Sequence, residues 1–349
     1  MSKKRRNSTT IFDIANEAGV SASTVSRVLN NSMPVDPAKR AAVLKAVQNL
    51  NFKPNLVAQE LGRGRTMTIG ILIPQSASIF YNTIINGIEQ GLELTPYRSL
   101  VASSNYRLEE ERKLLDLLVA RRVDAIVTLW NQVDETYLLE IAKEIPLISI
   151  GRKLSGLEKQ CLVVSNFQGA YQATRYLIER GHTRIAHITG ALNVPDGMQR
   201  FEGYKQALRD AGLEPDPQLI VEGDFEEQSG LFGVGVLFTR GVRFTALFAG
   251  NDMMAMGARL GFYRHGMRVP DDISIVGYDD QPGSAYTIPP LTTVRQPLTE
   301  IGIAAAQAAL NLIENQEPNL PVLNTELLIR ESVATVVRND FNYKVYSPS

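Results

Sequence analysis

The chain has 349 residues, of which 44% are hydrophobic and 21% charged. Those proportions suit a globular protein of two or three domains and exclude a collagen-like fibre, a wholly disordered chain and a small disulfide scaffold. The single cysteine, Cys161, can form no intrachain disulfide and fits a reducing compartment. No run of about 18 apolar residues is available to span a bilayer. The polar stretch 7–13 behind the basic residues 1–6 lacks a signal peptide's apolar run of about 7–15 residues. The expected location is therefore the cytoplasm, with no membrane partner.

The net charge of −1 conceals an asymmetry. Residues 1–66 hold eleven Lys and Arg against four Asp and Glu, a balance of +7, and the remainder carries −8. A basic head on an acidic body points to a polyanion partner for the head alone.

In chain order, Ile11, Ile14, Ala15 and Ala18 recur at helical spacing, with Thr10 to cap the start and Gly19 to end the helix at positive φ. A second helix follows at once. Ser21 is its N-cap, Val25, Val28 and Leu29 form one face, and Asn30-Asn31 closes it. Two helices so close, with a glycine between them, predict a helix-turn-helix, and the small Ala15 lets them cross closely. A third helix starts at Asp36-Pro37, a cap followed by proline at the first helical position, with Val43, Leu44, Val47 and Leu50 as its buried stripe. The outward face of the second helix carries Ala22, Ser23, Ser26 and Arg27, short side chains and one arginine that suit close approach to base edges, while Ser21 and Thr24 at the turn suit phosphates. Pro54 to Gly62 allows about two helical turns, marginal alone. It reads either as an ordinary linker or as one that becomes helical when docked on DNA.

Ile11-Phe12-Asp13-Ile14-Ala15 and the run from Ala18-Gly19-Val20-Ser21 to Val28-Leu29-Asn30 resemble the N-terminal signature of the lactose-repressor (LacI/GalR) family. Pro54-Asn55-Leu56-Val57-Ala58-Gln59-Glu60-Leu61 resembles that family's hinge helix. The resemblance implies that Ala22, Ser23 and Arg27 read the major groove, with Ser21, Thr24, Ser26, Asn30, Asn55 and Ala58 completing the DNA-contacting set. It implies that Leu61 is a wedge in a central minor-groove step.

Beyond residue 67, short apolar runs alternate with amphipathic helices. Strands are predicted over 68–73, 124–129, 147–150, 162–165, 184–189, 246–249 and 274–277, and helices over 82–95, 109–120, 169–180, 199–211, 252–265 and 300–314. This alternation predicts two doubly wound parallel sheets covered by helices, behind a small all-α head. Ligands of such sheets bind outside the carboxyl ends of the strands. The polar and aromatic residues there are Phe80 and Tyr81, Trp130 and Asn131, Arg152, Asn166, Asp196 and Arg200, Phe225, Asn251 and Asp252, and Asp279 and Asp280. Rings stack on apolar sugar faces while Asp, Asn and Arg bond hydroxyls, so the set suits a polyhydroxylated ligand. Asp252 reads as a helix cap rather than a ligand, Asp280 as a turn residue, and Trp130 equally as wall or core.

The body resembles the same family, whose core is similar to periplasmic sugar-binding proteins, in Arg180-Gly181-His182-Thr183-Arg184-Ile185, Arg200-Phe201-Glu202-Gly203-Tyr204, Gly250-Asn251-Asp252-Met253-Met254-Ala255 and Gly277-Tyr278-Asp279-Asp280. The resemblance implies Arg200, Asn251 and Asp279 as contacts to the hydroxyls of an effector and Phe80, Tyr81, Asn131 and Phe225 as walls; Arg152 and Asp196 join them from the strand ends. It implies a head at 1–53, a hinge and linker at 54–66, a core at 67–340 and a tail at 341–349. The core divides into an N-subdomain (about 67–164 and 295–322) and a C-subdomain (about 165–294 and 323–340). Many relatives carry aspartate where Gly151 and Ser165 stand, and Val194 and Asp196 also depart from the pattern associated with purines. A sugar effector and a homodimer on operator DNA are implied, with induction the implied logic.

The rival classes are an enzyme, a secreted solute receptor and a ligand-free dimer scaffold. His182, His187 and His265 read as structural, Cys161 as isolated and buried, and no Cys/His spacing suits a metal. Gly233-Val234-Gly235 lacks the third glycine and the preceding strand of a dinucleotide site. No catalytic residue, metal or cofactor is expected.

Overall fold

The computed structural model describes residues 9–30, 33–52 and 64–336. They fall into two compact units, one of Met1–Thr68 with Arg122–Asp124 and the other comprising the rest. The expected hinge residues Asn55, Ala58 and Leu61 and the tail 341–349 lie outside the described residues.

The first unit contains α1 (Ile11–Ala18), α2 (Ala22–Asn30) and α3 (Pro37–Asn49). Their starts follow from local chemistry. Thr10 and Asp13 form a reciprocal capping box, Ser21 Oγ accepts from Thr24 N at 3.2 Å, and Asp36 accepts from Ala38 N and Lys39 N. Gly19, at φ +63°, ends α1 and turns the chain into α2. Ile14, Ala15, Val25, Val28, Val43 and Ala46 form the core. Wholly buried Ile14, Val25 and Val43 each contribute roughly 1.5–3 kcal/mol. The stripe of α3 differs from expectation at one position. Leu44 is 46% exposed and Ala46 is buried, because positions 43, 46, 47 and 50 share a face while 44 lies about 100° away.

The second unit holds two sheets. The first is ordered β2-β1-β3-β4-β5, built from β1 (Thr68–Ile73), β2 (Arg98–Ser103), β3 (Ala125–Leu129), β4 (Leu147–Ile150) and β5 (Cys161–Leu162). The second is ordered β11-β10-β9-β8-β6-β7, from β6 (Ile185–Thr189), β7 (Ile220–Glu222), β8 (Ala246–Ala249), β9 (Ser274–Asp279), β10 (Thr292–Arg295) and β11 (Glu326–Leu328). Pairing is parallel along β1-β3-β4-β5 and along β7-β6-β8-β9-β10, and β11 is antiparallel to β10. The connecting helices are α4 (Ile79–Leu92), α5 (Leu108–Ala120), α6 (Glu135–Glu144), α7 (Asn166–Glu179), α8 (Pro195–Asp210), α9 (Glu227–Thr239), α10 (Asp252–Arg264) and α11 (Leu298–Ile313).

The chain passes between the lobes after β5, between β10 and α11, and between α11 and β11. α11 lies on α4 and on β3 and β4 of the first lobe, with Gly302 of α11 packed so closely against α4 that a Cβ there would sit 2.2 Å from the Ile84 carbonyl oxygen.

Several boundaries move. The strand expected over 162–165 is Cys161–Leu162, and Ser165 instead caps α7. Cys161 is only partly buried, its Sγ donating to Leu157 O at 3.2 Å. Edge strand β2 is largely exposed and shows no buried face to read, and β7 and β11 have three residues each. α9 was hidden by its glycines. Gly230 and Gly233 are there because Met254 O and the Ile188 side chain lie where a Cβ would stand. No helix among the described residues is long and apolar enough to cross a membrane.

Candidate functional site

On the head, Ser23 and Arg27 of α2 are exposed and Ser26 partly so, on the face away from Val25 and Val28; Thr24 is partly exposed, and Ala22, expected on the outward face, instead packs against the core because it lies one turn before Val25. Ser21 Oγ lies 2.8 Å from Ser23 Oγ and 2.9 Å from Thr24 Oγ1, a local hydroxyl network at the helix start. Asn30 is the last residue of α2.

In the core, the carboxyl ends of the strands of both sheets converge on one cavity of about 620 Å³. All nine residues picked as effector contacts line it: Phe80 and Tyr81 beyond β1, Asn131 beyond β3, Arg152 beyond β4, Asp196 and Arg200 beyond β6, Phe225 beyond β7, Asn251 beyond β8 and Asp279 at the end of β9. Asn166, at the start of α7, lies behind Arg200 rather than on the cavity wall.

Arg200 organises the floor. It is 2% exposed; its Nε donates to Asn166 Oδ1 at 2.9 Å, one terminal nitrogen donates to Gly250 O at 2.6 Å, and the other pairs with Asp279 at 3.3 Å. Its guanidinium lies 3.8 Å from the Tyr278 ring centroid and 5.4 Å from that of Phe225. Asp279 also accepts from Gln296 Nε2 at 2.8 Å. Burial raises its carboxyl to about 6, although Arg200 pulls the other way. Asp196 is likewise raised by burial, against Arg200 and the Trp130 indole.

Trp130 settles as wall. At φ +41° it turns off the end of β3, lines the cavity and donates from Nε1 to Asp196 at 2.7 Å, a hydrogen bond from one lobe to the other. Phe80 and Tyr81 pack on it with centroids 5.0 and 5.8 Å away. Gly151 makes the room. Its φ is +80°, and a Cβ there would stand 2.3 Å from the indole.

The helix cap of α10 is Asn251, not Asp252. Asn251 Oδ1 accepts from Met254 N at 2.9 Å while Nδ2 donates to Phe225 O at 2.8 Å. Asp252 is wholly buried one residue on, accepting from Gln281 N at 2.8 Å and from Ser284 Oγ and Thr293 Oγ1, both at 2.5 Å. It thereby ties the loop after β9 to the start of α10. Burial and then the nearby Asp279 push its carboxyl to about 7 despite three donors. Asp280, at φ +55°, is a turn residue that also pairs with Arg330 at 2.6 Å.

Sequence reasoning missed the outer wall of Tyr106, Asn193, Asp224, Glu226 and Glu227, and the buried Gln281. Three of these flank Phe225, the one residue picked from the sequence in the loop after β7. The histidines lie elsewhere. His182 bonds Thr245 Oγ1, His187 stacks on Phe248 with its pKa lowered by burial to about 4, and His265 caps α10. No group of His, Cys, Asp and Glu among the described residues could hold a metal.

Residues 10–55 match the profile of bacterial regulatory proteins of the lacI family, and residues 174–333 that of the periplasmic binding protein-like domain. The chain is 34% identical over 331 residues to the transcriptional repressor PurR of Vibrio atlanticus (strain LGP32), covering 94% of this chain and 99% of that one. It is 35% identical over 329 residues to the transcriptional regulator GalR of Escherichia coli (strain K12), covering 93% and 96%. Among solved structures, the lac repressor dimer bound to operator and the anti-inducer ONPF superposes with a TM-score of 0.85 at 28% identity, covering 94% of this chain and all of that one.

Proposed function

From the premise that this chain belongs to the lacI family of bacterial regulatory proteins, we propose that it is a homodimeric repressor whose hold on a near-palindromic operator is set by a sugar-like effector in the core cavity. Two heads read two half-sites because a two-fold protein reads two-fold DNA. Ser23 and Arg27 face base edges, while Ser21 and Thr24 and the basic residues of the head contact phosphates. The hinge, with Asn55, Ala58 and Leu61, completes the interface.

The observation that carries the effector half is the convergence of buried hydroxyl-bonding groups and an aromatic wall on one cavity between two lobes. An effector that binds one arrangement of the lobes better than the other shifts the population of DNA-competent dimer by that difference and no more. Asp196, Arg200, Asn251 and Asp279 bond its hydroxyls, and Phe80, Tyr81, Trp130 and Phe225 cover its apolar faces. Arg152 acts through Asn131, whose Oδ1 it holds at 3.2 Å. Near-equal identity to proteins named PurR and GalR does not choose the ligand; the departures at Gly151, Ser165, Val194 and Asp196 favour a sugar over a purine. The protein acts in the cytoplasm.

A thermal-shift screen of sugars and purines on the full chain, followed by operator release in a gel-shift assay with each hit, tests this. A stabilising sugar that changes operator affinity supports it, and a purine that does so instead overturns the sugar assignment.

A further inference from the structure

Resting on the sugar reading above, we infer that the effector is an unphosphorylated glycoside of two units, its inner ring on the Arg200–Asn251–Asp279 floor and its outer unit at an acidic, tyrosine-lined rim. The cavity has depth. Arg200, Asn251 and Asp279 are buried at its base, whereas Tyr106 is 52% exposed and Asp224, Glu226 and Glu227 are exposed at its edge. A single hexose at protein packing density fills roughly 200 Å³, about a third of the 620 Å³ of this half-open cavity. A ring seated on the floor therefore leaves the rim unfilled. A second unit reaches Tyr106, whose hydroxyl lies 3.5 Å from that of Tyr81, and the loop bearing Asp224 and Glu226.

Charge sets what that unit can be. Five carboxylates line the cavity: Asp196, Asp224, Glu226, Glu227 and Asp279. Among the described lining residues the cations are Arg152 and Arg200. Arg200 is committed to Asn166, Gly250 and Asp279, and Arg152 to Asn131 Oδ1 at 3.2 Å and Val133 O at 2.5 Å. No cation lines the rim among the described residues. Crowding by Glu227 and Asp224 adds to burial in holding the Glu226 carboxyl above its ordinary range, the mark of anions lacking a counter-charge. A phosphate or uronate there would meet three carboxylates with nothing to offset the repulsion, whereas hydroxyls find acceptors.

The test is calorimetry on the full chain with glucose, galactose, their 6-phosphates, and α- and β-linked disaccharides of the two hexoses, free and phosphorylated on the outer ring. A free disaccharide should bind at least tenfold more tightly than either hexose, and phosphorylation should cost a further tenfold or more. Tyr106→Ala should weaken the disaccharide about tenfold and leave the hexose unchanged. The triple change Asp224→Asn, Glu226→Gln and Glu227→Gln should restore binding of the phosphorylated disaccharide. A hexose or a phosphate ester matching the free disaccharide overturns this inference while sparing the sugar reading. Silence from every carbohydrate sinks both.

Discussion

The recognition helix and the core cavity present their polar groups in opposite ways. On α2, Ser23 and Arg27 stand in solvent; a neighbouring hydroxyl holds Ser23, and the small core beneath fixes the helix without fixing the tip of Arg27. In the cavity, Arg200, Asn251 and Asp279 are buried and bonded to one another or to backbone. The head offers groups that a polyanion can organise on arrival, at a cost in salt sensitivity. The cavity holds its groups in place beforehand, so its selectivity comes from shape and from which hydrogen bonds a ligand can replace.

The largest effect expected of a single change follows from the cavity's side of that contrast. Arg200→Ala leaves Asp279 and Asp196 buried without their counter-charge. It should lower core stability by about 3–5 kcal/mol in urea titration and abolish effector-dependent operator release. Retained response would move the ligand site elsewhere. The matching change in the head is Ile14→Ala, expected to cost that unit about 2–5 kcal/mol. Operator binding should fall while the core's melting transition stays in place, and a joint shift of both transitions would deny the head its independence.

Next comes pH. Asp252 is raised from 3.8 to about 7, so the folded core holds its proton longer than the unfolded chain does. The stability gained is full below about pH 4 and is lost as pH rises through 7. Relative to Asp252→Asn, the wild type should lose roughly 4 kcal/mol across that window. His187, whose lowered pKa slopes the other way, is shared by both chains and cancels in the difference. A flat difference would show that Asp252 is ionised throughout. Arg27→Ala should cost about 1–3 kcal/mol in specific operator affinity with unchanged melting, and unchanged affinity would remove α2 from the major groove. Smallest is Asp36→Ala, which removes the cap of α3 and should cost the head about 1 kcal/mol, read as a lower melting midpoint.

The sequence was most legible where local chemistry decides. Thr10, Gly19, Ser21 and Asp36 set the head's helix boundaries, and the fully buried strands β3, β4 and β8 show as plain apolar runs. Placing ligand contacts at strand ends brought nine residues to one cavity because parallel sheets direct their carboxyl ends together. Legibility failed where tertiary packing overrides local preference. The glycines of α9 look like a loop until Met254 and Ile188 occupy the space beside them. Neighbouring Asn251 and Asp252 are both fit to cap, and only the pull of Ser284, Thr293 and Gln281 on the second decides between them. The rim acids beside Phe225 went unseen because exposed carboxylates in a loop read as ordinary solvated surface.

Gly151 has a consequence for redesign. The indole of Trp130 occupies the space any larger side chain there would need, and the left-handed backbone adds strain to any side chain placed on it. Retuning this wall by a single exchange at 151 would evict the tryptophan and with it the bond between lobes. A change of preference along this route therefore takes paired substitutions at 130 and 151, and one-at-a-time scanning of either position would register only damage.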